Sequence, residues 1–433
     1  MLLRFRLANH RSIRDEAELS FTNRKLRGVA APGGQWSGAT VRVAGIYGPN
    51  ASGKSNLIHG LRFMVNAVRN SATSWMDRES FPHHPFAFDP ECKKVASLYE
   101  IDFVVDGVRY TYGFQARSFI AEEWLYSYPT SRRRVLFERS AGESISFGRH
   151  LQGDNVRISK ALTGSVLFLS LAAANKHPTL TRLQHGIVRH IRFAAVDDVD
   201  RQQRLRWVTG MLTDERKMKE AVALLRFADV GIASVKIEDL VVDDQSRLKL
   251  SKFFEAVREL SENIDFNLDK FFKEIERELK FVHGPSGEAS SHALSISQES
   301  SGTIAWLALA VPALSSMRSG DVFVVDEVDA SLHPRLSAAL IDLFKDPDLN
   351  AQGGQLLFTS HDTSLLGNLH GDLMDSDEVW FVEKDAGGAS SLYSLSEFST
   401  RSRDNFERRY LQGRYGAIPL IAREELKNAV LGA

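Results

Sequence analysis

The sequence predicts an α/β fold: a P-loop core interrupted by an antiparallel β-lobe and an inserted helical lobe, with no long coiled coil. Three observations carry this. The apolar run Val41 to Tyr47 ends in a glycine-bracketed octad and opens into a segment of helical spacing. A second apolar run, Val322 to Val325, ends in two acidic residues. Between the two lie a stretch rich in β-branched and aromatic residues and then one of amphipathic helical pattern, so one core is interrupted twice.

Leu3 to Leu7 and Glu18 to Phe21 alternate apolar and polar residues, as an antiparallel pair does, and a Gly/Pro-rich loop follows at Gly28 to Gly38. Asn56 to Val68 places Leu57, Leu61, Met64, Val65 and Val68 at helical spacing. In the β-lobe, strands are expected at Tyr99 to Val105, Arg109 to Phe114 and Val135 to Phe137, with Asp106-Gly107 as a hairpin turn. From Asp214 to Phe281 helices are expected at Met218 to Phe227 and Leu250 to Ile275, around a strand-like Ala233 to Val242. Gly231, Asp243-Asp244 and Gly284-Pro285 interrupt this insert, and no heptad repeat runs through it. The α/β pattern then returns with a strand at Val322 to Val325, a helix at Leu336 to Phe344 and strands at Gln355 to Thr359 and Val379 to Val382. The expected division is residues 1–205 and 291–433 for the two parts of the core domain and 206–290 for the insert.

Composition narrows the function classes. With 43% hydrophobic and 25% charged residues in 433, the chain is that of a folded protein. Its 54 basic and 55 acidic residues leave a net charge of −1, so no global field draws it to nucleic acid or to an anionic membrane. The only cysteine, Cys92, cannot form an internal disulfide, which fits a cytoplasmic protein. The first residues alternate charge with apolar groups, unlike a signal peptide. The longest apolar stretch, Ile304 to Leu314, carries Pro312 and is shorter than the ~20 residues a membrane span needs.

Gly48-Pro49-Asn50-Ala51-Ser52-Gly53-Lys54-Ser55 matches G-x-x-x-x-G-K-[ST] between a strand and a helix. Backbone N–H groups and the positive end of the helix dipole surround an anion there, and Gly48 and Gly53 permit close backbone approach. Lys54 is expected to neutralise β and γ oxygens and Ser55 to ligate Mg²⁺, with Asn50 and Asn56 completing the candidate nucleotide contacts. Asp326, at the carboxyl end of its strand, is the expected magnesium carboxylate, and adjacent Glu327 the group that polarises the attacking water. His361, after the next strand, is a candidate γ-phosphate contact. Gln298 to Thr303 precedes a helix expected to start near Ile304, and Ser300 and Gly302 there form a second candidate anion site, suited to a nucleotide held by another protomer.

In this order, with Asp329-Ala330-Ser331-Leu332-His333-Pro334 and Ser360-His361 following Asp326-Glu327, the motifs resemble the ABC-type ATPases of the RecF/SMC kind. More narrowly they resemble compact bacterial AAA-like ATPases of abortive-infection and other phage-defence systems. The likeness includes Asn9 to Ser12, Tyr99-Glu100-Ile101, Tyr110 to Phe114, Glu123-Trp124-Leu125, Leu136 to Arg139, Val379 to Lys384 and the tail Tyr410 to Pro419. It implies ATP and Mg²⁺ as ligands and a homodimer or higher homo-oligomer. Ser300 and Gly302 of one subunit would reach the γ-phosphate held by Lys54 of the other, Asp329 to Leu332 would be the D-loop, and His361 the switch histidine. No glutamine stands where the family's Q-loop would be; His83-His84-Pro85-Phe86 lies there, with no cysteine or third histidine nearby in the sequence, and reads as a loop. Arg11 or Arg14 would be an early basic phosphate contact.

The resemblance implies an ATPase sensor or scaffold that controls a separate effector, a nuclease or toxin, in antiphage defence. The alternative is a RecF/SMC-like repair ATPase, which would need a basic face. Nucleic acid is left open without support from the charge: Arg132-Arg133-Arg134, the one compact basic run, reads equally as a solvated hairpin tip. Too little chain follows His361 for an attached Toprim nuclease, and no Asp-x-Asp follows Val382-Glu383.

Overall fold

The computed structural model describes residues 1–23, 36–130, 132–195, 197–228, 231–239, 277–284, 292–400, 404–419 and 423–431. The helix expected at Leu250 to Ile275 and most of the Gly28 to Gly38 loop lie outside these residues. The chain divides into two compact units, one of Met1–Phe193, Ser319–Val328 and Ile341–Ala433, the other of Ala194–Arg318 and Asp329–Leu340.

In the first unit, β1 (Leu2–Ala8), β2 (Ala17–Ser20) and β3 (Val43–Tyr47) are followed by α1 (Lys54–Asn70). Next come β4 (Ser97–Val105), β5 (Val108–Ala116), β6 (Ile120–Tyr128), β7 (Arg134–Ser140), β8 (Ser146–Phe147) and β9 (Ile191–Ala194). Among the described residues an antiparallel sheet runs β2-β1-β4-β5-β6-β7-β8. The N-terminal pair and the β-lobe, separate in the sequence reading, are thus one sheet, joined by Phe5 opposite Ile101 and Leu7 opposite Tyr99. Asp106 and Gly107, with φ of 50° and 76°, form the expected turn between β4 and β5.

β3 belongs to a different sheet. With β13 (Val322–Val325), β14 (Gln355–Thr359), β15 (Val379–Lys384) and β16 (Ser390–Ser394), it forms the order β16-β15-β3-β14-β13-β9. β15, β3, β14 and β13 run parallel, which is why their residues read as unbroken apolar runs: both faces are covered. One core joins α1 to both sheets, through Leu57, Leu61 and Met64 of the helix, Phe5 and Tyr99 of the antiparallel sheet and Ile46, Val324 and Leu357 of the parallel one. Buried Gln355 also ties them, accepting from Leu2 N at 2.7 Å and donating to Leu2 O at 2.8 Å.

Glu123 is a buried carboxylate on β6. It accepts from Tyr112 Oη at 3.0 Å and from the N–H groups of Phe168 and Leu169 at 2.7 and 3.0 Å, which start the helix Phe168–Ala174. Arg139 stands 3.6 Å away. Burial pushes this carboxyl up, and Arg139 and the hydrogen bonds oppose that.

The second unit is not wholly helical. Helices Asp198–Met211 and Glu215–Ala228 accompany an antiparallel sheet of β10 (Ile232–Asp239), β11 (Arg277–His283) and β12 (His292–Ser295). Leu212, Leu225, Phe281 and Leu307 share its core. The helix Ser301–Ser319 is the longest among the described residues, and none of these helices is long and apolar enough to cross a membrane. No long coiled coil is present among them.

Glu123→Ala removes the buried carboxylate that pairs with Arg139 and leaves the Tyr112 hydroxyl and two helix N–H groups without their acceptor. It is expected to cost about 3–5 kcal/mol in urea unfolding, and Glu123→Gln, which keeps an acceptor, markedly less.

Candidate functional site

The loop after β3 is shaped by contacts that leave no room for side chains at two positions. A Cβ at Gly48 would lie 2.3 Å from the Val382 carbonyl oxygen. One at Gly53 would lie 2.3 Å from Ser390 Oγ and 2.7 Å from Ser12 Oγ, and Gly53 has a φ of 113° besides. The loop therefore rests on the β15–β16 hairpin. Ser390 Oγ donates to the Ser52 carbonyl at 2.5 Å and lies 2.8 Å from Ser12 Oγ, which also accepts from Asn56 Nδ2 at 2.7 Å.

This support aims Lys54 inward. Its side chain is buried, and its ammonium donates to Gly48 O at 2.8 Å and Pro49 O at 3.2 Å, inside the curl of the loop. Ser55, one residue on, donates to Asp326 Oδ1 at 3.2 Å across a sequence gap of 271 residues. The pairing of β3 with β14 and of β14 with β13 brings them together. Asp326 is itself held by Thr359 Oγ1 at 2.6 Å.

Glu327 takes a left-handed φ of 53°, unusual for a residue with a side chain and costing on the order of 1–2 kcal/mol. The turn is held by β14: Glu327 N donates to Thr359 Oγ1 at 2.7 Å and Val328 N to Thr359 O at 3.0 Å. His361 then lies between two candidate groups, its Nδ1 3.4 Å from Lys54 Nζ and its Nε2 3.8 Å from Glu327 Oε1. A cavity of about 720 Å³ is lined by residues 50–56, Glu327, His361 and Lys384, a volume in the range of small-molecule sites. Ser55 and Asp326 offer neighbouring oxygen donors, the chemistry a hard cation such as Mg²⁺ takes.

Ser300 and Gly302 belong to the second unit, as does the segment Asp329–Leu332. The helix there starts at Ser301, earlier than the sequence suggests, because Ser300 caps it: Thr303 N donates to Ser300 Oγ at 3.1 Å. A Cβ at Gly302 would stand 3.2 Å from Ser331 O, so the two segments touch within that unit.

His84 has company that its sequence neighbourhood does not reveal. Its ring centroid lies 5.9 Å from His10 and 5.7 Å from His59. The nitrogens of His10 and His59 serve one another: Arg11 Nη2 lies 2.8 Å from His59 Nε2, His59 Nδ1 2.9 Å from His10 Nε2, and His10 Nδ1 2.7 Å from Tyr99 Oη. A guanidinium only donates, so His59 carries its proton on Nδ1 and His10 on Nδ1, and both rings are neutral. Arg11 also reaches Asn56 Oδ1 at 3.4 Å, whereas Arg14 pairs with Asp15 at 2.9 Å. Arg133, in the basic run, stacks on Tyr126 at 4.5 Å.

Ser12, Thr359, Lys384 and Ser390 brace or line this site, and sequence reasoning gave none of them a role in it. A lone serine or lysine at a strand end carries no signal until the sheet order is known. The family-like tail proves to be packing for β15: Phe381 stacks on Tyr410 at 5.2 Å, and Glu383 accepts from Ala417 N at 3.3 Å.

A family model described as "AAA domain, putative AbiEii toxin, Type IV TA system" matches residues 43–160 and 212–367, more than half of the chain. The chain belongs to that family and is an AAA-type ATPase domain. Among solved structures it is similar to an Smc head bound to the C-winged helix domain of ScpA, at 14% identity and a TM-score of 0.40 over 91% of this chain and 97% of that one. It is also similar to a Pyrococcus furiosus Smc head domain with an extended coiled coil bound to the C-terminal domain of ScpA, at 15% identity and a TM-score of 0.37 over 91% and 96%. No curated protein matches it.

Gly53→Ala forces both a strained φ and a clash with Ser390 and Ser12; it is expected to lower the thermal midpoint and to abolish nucleotide binding in calorimetry. The histidine pair predicts an acid sensitivity. Burial, with cationic and imidazole neighbours, lowers His10 to about 2 and His59 to about 4. Unfolded, each binds a proton near pH 6.5. Their contribution is complete above that value and is lost as pH falls below it, with a slope of about 1.4 kcal/mol per pH unit for His10. Urea midpoints at pH 7.5, 6 and 5 should fall in that order, and His10→Gln should flatten the trend.

Proposed function

We propose that this chain binds and hydrolyses ATP with Mg²⁺, closes as a homo-oligomer on ATP, and thereby controls a separate effector, a nuclease or toxin, in antiphage defence. The observation that carries the reading is the convergence of Lys54, Glu327 and His361 on one cavity from the ends of three parallel strands, with Asp326 bonded to the cavity-lining Ser55. The defence role is supported by the family description, which names a toxin of a type IV toxin–antitoxin system. The near-zero net charge favours a protein partner over a nucleic acid.

The residues divide the work. The N–H groups of residues 50–56 and Lys54 hold the phosphates, with Gly48 and Gly53 keeping the loop open. Ser55 and Asp326 would hold Mg²⁺, which supplies charge neutralisation on the transferred phosphoryl group. Glu327 orients and polarises the attacking water, its carboxylate turned into the cavity by the left-handed backbone. His361, between Lys54 and Glu327, contacts the γ-phosphate and reports its presence to the strand ends. Ser300 and Gly302 of a second subunit complete the site, and the opening and closing of that assembly is the output.

Two variants test the assignment. Lys54→Ala should lose ATP binding. Glu327→Gln should keep it while hydrolysis falls by about 10²–10⁴-fold, and should trap the ATP-bound oligomer on a sizing column. A Gln variant that turns over like the parent removes Glu327 from its role. The protein that co-purifies with the native chain identifies the effector; recombination factors in its place would move the reading to DNA repair.

A further inference from the structure

Lys384 lines the same cavity. Side chains along β15 alternate. Phe381 and Glu383 turn to the C-terminal tail, at Tyr410 and Ala417, while Trp380 and Val382 turn to the core shared with α1. Lys384 continues this second face, beyond Val382, whose carbonyl touches Gly48.

Its backbone is held in place. Lys384 pairs with Ser390, the residue whose hydroxyl donates to Ser52 O, and the hairpin turn is closed by Asp385 N to Ala389 O at 2.9 Å and Ala389 N to Asp385 Oδ1 at 2.8 Å. The Lys384 side chain is exposed and makes no ion pair or hydrogen bond among the described residues. Sharing the cavity with Lys54 and the start of α1, this ammonium is available to a bound anion.

The sheet order decides which part of that anion it meets. Asp326 and Glu327 follow β13 and His361 follows β14, all on one side of β3, whereas β15 lies on the other. Groups that serve the γ-phosphate occupy the first flank. We infer that Lys384 is a second cationic nucleotide contact, which meets the α- and β-phosphates, the part shared by a nucleoside triphosphate and its diphosphate product. This rests on the ATP reading above, and it makes Lys384 a determinant of how tightly the product is held.

The test is calorimetric titration of MgATP and MgADP into the full chain and its K384A, K384R and K54A variants, with circular dichroism melts to confirm folding. K384A should weaken both nucleotides by about tenfold, the worth of one charge-assisted contact, and K384R should recover most of it. Equal affinities of K384A and parent for MgADP overturn the inference, as does a loss confined to MgATP, which would put Lys384 on the γ-phosphate. Should K384A melt early, K384Q and the K384R rescue decide in its place. If the parent binds neither nucleotide, the ATP reading fails and this inference with it; if the parent binds both and only K54A loses them, Lys384 alone is refuted.

Discussion

The backbone of the phosphate loop lies directly on the β15–β16 hairpin, and much of the site depends on that close approach. Gly48 against the Val382 carbonyl and Gly53 against Ser390 and Ser12 leave no space for a methyl group. With the loop held there, the Lys54 ammonium sits within its own ring of carbonyls, and Ser55 faces Asp326. The hairpin is in turn braced from its outer face by the aromatic tail, Tyr410 and Tyr415 on Phe381. A segment near the C-terminus thus shapes a loop near the N-terminus.

The same economy governs the acidic side. Thr359 holds Asp326 through its hydroxyl and holds the Glu327–Val328 turn through both hydroxyl and carbonyl. One threonine at the end of β14 therefore offsets the left-handed strain at Glu327 and orients the Asp326 carboxylate. The cost of an αL residue is tolerated because three hydrogen bonds to a buried strand end define the turn.

Around the loop, charge is managed by neutral partners. Lys54 is solvated by carbonyls, and Arg11 is directed toward Asn56 by a chain of neutral imidazoles ending at Tyr99. Carbonyls and imidazoles thus position these two cations without adding charge of their own.

Much of this was legible in the residues alone. The spacing of Gly48, Gly53, Lys54 and Ser55, the acidic end of Val322–Val325 and the histidine after Gln355–Thr359 each depend on a single element, and period and turn chemistry are local properties. The β4–β5 hairpin and the start of α1 belong to the same class. Pairing between distant segments has no such local signal. That β1 joins β4, that Ser12, Ser390 and Ser52 meet, that His10 and His59 gather around His84, and that Lys384 enters the cavity from the far flank were decided by the order of strands in two sheets. A serine or a histidine reads the same on a loop surface as in a network. By itself the sequence determined which residues could hold a phosphate; only the tertiary structure decided which neighbours hold those residues in place, because close approach and hydrogen bonding depend on where chains cross and not on how they are spaced.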